Sequence, residues 1–145
     1  MTKDQPKCAE VVVEKMRGRM EDIKRLMLVA SDMDATEEQR EDAAQELDEY
    51  GLAFDYVAPD TFEDQPRGYW RWQISWGGPS DEFRFYGEPL NDWRVHLEDV
   101  EYWYLDWFDG ALCRPSCDDL AALEEWFSQL AECGVCTQLY KDATD

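Results

Sequence analysis

The chain has 145 residues, 44% hydrophobic and 14% aromatic, which is the size of one ordinary domain with enough large side chains for a packed core. Its 34 Asp and Glu against 14 Lys and Arg give a formal charge of -20. That sign disfavours direct binding to nucleic acid or to an anionic membrane, because both are met by Lys and Arg.

High charge with few apolar residues would predict disorder, but seven Trp, seven Tyr and six Phe bury enough surface to offset chain entropy. No stretch approaches the ~20 apolar residues that span a bilayer, and the start MTKDQPKCAE lacks the apolar core of a signal peptide. Five Cys, an odd number without a secretory signal, read as reduced thiols. The expectation is a single α+β domain over 1–145, cytoplasmic in a host cell, with no membrane association.

From Ala9 to Ser31, Val12, Val13, Met16, Met20, Ile23, Met27 and Ala30 recur at helical spacing, with Glu14, Arg17, Glu21, Lys24 and Arg25 opposite. A second helix starts at Thr36, whose place before Glu37, Glu38 and Gln39 fits a capping box, and ends near Tyr50 and Gly51. The two helices predict an N-terminal helical hairpin over 1–53. Residues 54–68 carry Pro59, Pro66, four acids and no helical period, and read as an acidic loop.

The period then becomes two. Trp70, Trp72, Ile74 and Trp76 alternate with Tyr69, Arg71, Gln73 and Ser75, the turn GGPS follows, and Glu82–Tyr86 returns as a second strand. Between Trp93 and Trp107, Trp103, Leu105 and Trp107 alternate with Tyr102, Tyr104 and Asp106. A central antiparallel sheet of three to four strands over 69–109 is the simplest topology. After DGALCRPSC, a C-terminal helix capped at Ser116 runs over 116–133 with Leu120, Leu123, Phe127 and Leu130 on one face and Gly134 as its stop.

The charge is uneven along the chain. Residues 31–65 hold thirteen acids and one base, whereas residues 1–30 hold five acids and seven bases. On a helical wheel of the second helix, Ala43, Ala44, Leu47 and Tyr50 take one side and Glu37, Glu38, Glu41, Asp42, Glu46, Asp48 and Glu49 the other. Like charges at i,i+4 weaken a helix, and only Arg40 relieves them here. Carboxylates three, four or seven residues apart on a helix stand ~5 to 10 Å from one another, bracketing the spacing of backbone phosphates. The face is therefore a candidate partner-binding surface that imitates nucleic acid. Asp118, Glu125 and Glu132 repeat the theme on the third helix, and Glu98, Asp99, Glu101, Asp106 and Asp109 extend it. The plain alternative is a solvated acidic face.

Other constellations carry less. Cys113-x3-Cys117 and Cys133-x2-Cys136 look like zinc pairs, but a helix of ~24 Å between them forbids one shared tetrahedral site. Cys133 and Cys136 follow a helix and lack the strand-then-helix start that activates redox thiols. His96 is the only histidine, without a nearby nucleophile or a phosphate-cradling glycine loop. The expectation is no catalytic residues, no metal and no cofactor. An aromatic sheet face of Tyr69, Arg71, Arg84, Tyr86, Tyr102 and Tyr104, opposite Trp70, Trp72, Trp103 and Trp107, offers a second mode of contact with a protein.

RWQISWGGPSDEFRFY (Arg71–Tyr86) and EYWYLDWFDGA (Glu101–Ala111) resemble small acidic proteins borne by plasmids and phages, a company that includes anti-restriction and anti-CRISPR proteins. The resemblance implies a counter-defence role on a mobile genetic element and carries over no catalytic residue. Many members of that functional class are DNA mimics that occupy the basic groove of a nuclease or CRISPR complex. Three readings follow: an acidic mimic that inhibits a basic nucleic-acid-binding protein; an immunity-type protein that binds a cationic partner by shape and aromatic contacts; and a carboxylate enzyme or metal protein.

Overall fold

The computed structural model describes residues 7–145, so the first six residues of the predicted hairpin unit lie outside the described residues. The described chain forms four helices and a five-stranded antiparallel sheet in the order α1 (Cys8–Ser31), α2 (Glu37–Asp48), β1 (Ala53–Val57), β2 (Tyr69–Ser75), β3 (Ser80–Asn91), β4 (Arg94–Asp106), β5 (Asp109–Cys113), α3 (Cys117–Glu132) and α4 (Val135–Thr144). Strand order in space equals strand order in sequence, so each strand pairs with the next as an antiparallel meander.

The helices α1, α3 and α4 cover one face of the sheet, and α2 lies against α1. Val12, Met16, Met20 and Ile23 of α1 and Leu123, Trp126 and Phe127 of α3 meet Trp70, Trp72, Phe83, Phe85, Val100 and Tyr102 of the sheet in one core. At its centre the Trp72 and Trp126 rings stack with centroids 3.7 Å apart and planes 14° apart. The Trp70 indole N–H donates to the Cys136 carbonyl at 2.8 Å, so this buried ring leaves no polar group unpaired.

The α1–α2 hairpin is present, with Arg25 reaching Glu46 at 3.7 Å and the Tyr50 hydroxyl donating to Asp22 at 2.7 Å. Val13, placed on the apolar side by its spacing, is instead exposed, and Leu26 takes a core position. Asp109 accepts the Cys8 backbone N–H at 2.8 Å, tying the start of α1 to the β4–β5 turn. That N–H holds the Asp109 carboxyl below its ordinary range.

Four sheet expectations need correction. The acidic loop expected over 54–68 begins as β1, because Phe54 and Tyr56 alternate toward the core while Asp55 pairs with Arg71 on the other face. The return strand continues past Tyr86 to Asn91, since Gly87 lets the backbone pass a neighbour: a Cβ there would sit 2.1 Å from the His96 carbonyl oxygen. Pro89 falls at a register shift, where its missing N–H costs no ladder bond. The DGALC segment is β5, which makes the sheet five-stranded and carries it to Cys113 instead of ending at 109.

The fourth correction is one of parity. Tyr102 pairs with Phe83 inside the core, so Trp103 points to the opposite face with Arg84 and Tyr69. Two further differences concern the C-terminal region. Ser116 stands at the expected cap of α3, but its side chain makes no capping bond; its carbonyl accepts Asp119 N–H at 3.1 Å. Gly134, at φ 82°, ends α3 and opens α4, so the predicted stop is also a start.

Candidate functional site

The local sequence of α2 explains why it stands as a helix despite its charge. The Thr36 hydroxyl accepts Gln39 N–H at 3.1 Å and the Gln39 amide oxygen accepts Thr36 N–H at 2.9 Å. Glu37 and Glu38 sit in the first turn, where the positive end of the helix dipole favours them. Asp48 and Glu49 sit at the other end, where it does not. Ala43, Leu47 and Tyr50 bind the helix to the body of the protein, and Arg40 spends its guanidinium on the carbonyls of Asp32 and Ala35.

Glu37, Glu38, Glu41, Asp42, Glu46, Asp48 and Glu49 are all exposed. Among the described residues only Glu46 has an ion pair, the 3.7 Å contact with Arg25 in which both side chains are largely solvated. Glu49 accepts a hydrogen bond from Gln45 at 3.2 Å, which leaves its charge uncompensated. The helix is ~18 Å long, so these carboxylates form a dense single-sign strip.

On the third helix, Asp118, Glu125 and Glu132 are exposed too, but they do not all join the strip. Glu125 borders a groove of about 460 Å³ between α1, α2 and α3, across from Ala44 and Leu47. Glu132 borders a different groove, against Arg94 and His96 of β4. Lys24 of α1 pairs with Asp119 at 2.6 Å, a cation beside Asp118 in the first turn of α3. Of the strand acids, Glu98 pairs with Arg67, and Asp99 and Glu101 with Arg114, so these are largely neutralised.

The remaining acids of interest are buried and structural. The Asp81 carboxylate accepts two bonds from Arg19, at 2.8 and 3.1 Å, one from Tyr102 at 2.6 Å, and a short one from Ser75. Burial first, and then the Asp81 bond, push the Tyr102 hydroxyl well above its ordinary pKa. On the opposite face Glu101 accepts Tyr86, Trp103 and Arg114. Asp81 and Glu101 therefore share no cleft.

The aromatic sheet face does not present the tyrosines expected of it. Tyr69 and Tyr86 are buried under the loop that follows β1, where Arg67 stacks on Tyr86 at 4.5 Å and Arg84 lies between Tyr69 and Trp103 at 4.6 and 4.1 Å. Tyr102 belongs to the core. Large aromatic exposure occurs instead at Trp76, Trp107 and Phe108, in the turns at one end of the sheet, and at Trp93 in the β3–β4 turn at the other. The signal for them was the pair Trp107-Phe108 in a two-residue hairpin turn, a place where Gly or Asn is usual.

The cysteines are dispersed. Cys117 and Cys133 are exposed at opposite ends of α3, and burial pushes the Cys136 thiol up to about 12. No protein-family profile, no curated protein and no solved structure matches the chain.

Proposed function

We propose that the protein is an acidic inhibitor whose α2 strip occupies the basic nucleic-acid-binding surface of a host defence protein, a CRISPR complex or a restriction nuclease. The observation that carries the reading is the exposure of seven carboxylates over Glu37–Glu49, six in α2 and one at its C-cap, with one weak ion pair among the described residues. A face kept only for solubility is served by mixed charges, which avoid i,i+4 repulsion; this one retains the repulsion. The shape-driven alternative loses its tyrosine face, since Tyr69, Tyr86 and Tyr102 are buried.

The test is inhibition of DNA cleavage by a panel of purified, guide-loaded CRISPR effectors and restriction endonucleases. Wild-type protein inhibits a member of the panel, and the triple reversal E41K/D42K/E49K abolishes the effect while keeping the fold. Full inhibition by the reversed variant would remove the strip from the account.

A further inference from the structure

We propose that Trp76, Trp107 and Phe108 form an apolar anchor that seats in a pocket on the same cationic protein partner that meets the α2 carboxylates. The inference rests on the reading above and adds a second contact of different chemistry.

The three side chains are 76, 88 and 105% exposed. They come from two turns that the sheet register brings to one end: Ser80 pairs with Leu105, and the Trp107 indole nitrogen lies 3.7 Å from where a Cβ on Gly78 would sit. At ~200 Å² for each aromatic, they together expose on the order of 500 Å² of apolar surface at this end of the sheet, more than half of one side of a standard interface. Trp107 holds φ at 54°, where glycine is the least costly residue, so the turn retains a bulky side chain against its own backbone preference.

The charge decides what covers this patch. A second copy of the chain would bring another -20, and a nucleic acid or an anionic bilayer would bring phosphates. Asp106 and Asp109 bracket Trp107 and Phe108 in sequence, with Asp109 held by the Cys8 N–H, so the nearest charges in the chain are carboxylates. The complement is an apolar pocket rimmed by Lys and Arg on a protein, with Trp as the residue type that most often anchors such contacts.

The experiment measures dissociation constants at about 50 and about 300 mM salt for the panel member that wild-type protein inhibits, using wild type, E41K/D42K/E49K and W76S/W107G/F108S. The tip variant is expected to lose ~30-fold or more in affinity with the salt dependence unchanged, as for loss of aromatic hot spots. The α2 variant is expected to lose affinity together with salt dependence. Wild-type affinity in the tip variant overturns the anchor and leaves the mimic reading standing; wild-type affinity in the α2 variant with loss in the tip variant does the reverse. Binding to no panel member overturns both. Self-association of the wild type that the tip variant abolishes, seen by sedimentation equilibrium, also overturns the anchor. If the triple variant fails to fold, Phe108→Ser alone carries the test, with ~5-fold or more loss expected and unchanged affinity as the contrary result.

Discussion

Arg19 of α1 grips Asp81 of β3 through two hydrogen bonds, Nε to Oδ2 at 2.8 Å and Nη2 to Oδ1 at 3.1 Å, on the helix-covered face of the sheet. Burial works against the guanidinium charge, and the bonds to Asp81 and Tyr50 outweigh it, raising the Arg19 pKa. The same carboxylate holds Tyr102 and Ser75, so it fixes α1 against β2, β3 and β4 at once. Asp81→Ala leaves three donors without their acceptor and is expected to destabilise the fold by ~3 kcal/mol. Urea unfolding checks it: the midpoint falls with little change in slope. A loss under ~1 kcal/mol would mean that water replaces the carboxylate.

The stacked Trp72 and Trp126 rings bind α3 to the sheet centre. Trp126→Ala is expected to cost ~3–5 kcal/mol through lost burial and the cavity left behind, and to remove most of the near-ultraviolet circular dichroism of the pair. Glu38→Gln, on the exposed strip, should leave both observables unchanged. That contrast separates residues that hold the fold from residues available to a partner.

Alkaline pH should unfold the protein through its tyrosines. Burial, followed by the bond to Asp22, raises Tyr50 to about 12, and burial with carboxylate partners raises Tyr86 and Tyr102 further. Folded pKa values above the ordinary 10.0 mean that the stability these groups contribute is fully present below pH 10 and is lost as pH rises from 10 through 12. Spectrophotometric titration is expected to show these hydroxyls ionising together with loss of structure. Early, independent ionisation of every tyrosine would contradict their hydrogen bonding.

Salt should stabilise the free protein. With a charge of -20 and, among the described residues, only Glu46 of the strip ion-paired, screening relieves self-repulsion, so the melting temperature rises from ~10 mM to ~500 mM salt. The double change Asp48→Lys and Glu49→Lys, at the C-terminal end of α2 where the helix dipole favours cations, is expected to add a few tenths of a kcal/mol and to flatten that dependence. A melting temperature that falls with salt would mean that attractive pairs outweigh the repulsion.

The sequence made α1, α2, α3 and the acidic strip readable because they are local: α1 follows from its period and α2 from its cap, where Thr36 makes the expected pair of bonds, while α4, beyond the expected stop at Gly134, escaped it. What escaped depends on distant neighbours. Phe54 and Tyr56 form a strand only because β2 is there to pair with them, and nothing in FDYV overrides the acids around it. Trp103 and Tyr102 exchange faces because strand parity is counted from the pairing with β3, and the alternation of aromatics fits either assignment equally. The split between Glu125 and Glu132 likewise comes from which neighbour each flanks, which a helical wheel does not contain.

We propose that the α2 strip takes the place of nucleic acid on its partner. The direct measurement is competition on the inhibited nuclease or CRISPR complex: fluorescently labelled target duplex is bound first, the acidic protein is titrated in, and anisotropy is followed. Displacement of the duplex by wild type, and none by E41K/D42K/E49K, is the predicted result. A stable ternary complex of partner, duplex and inhibitor would contradict it.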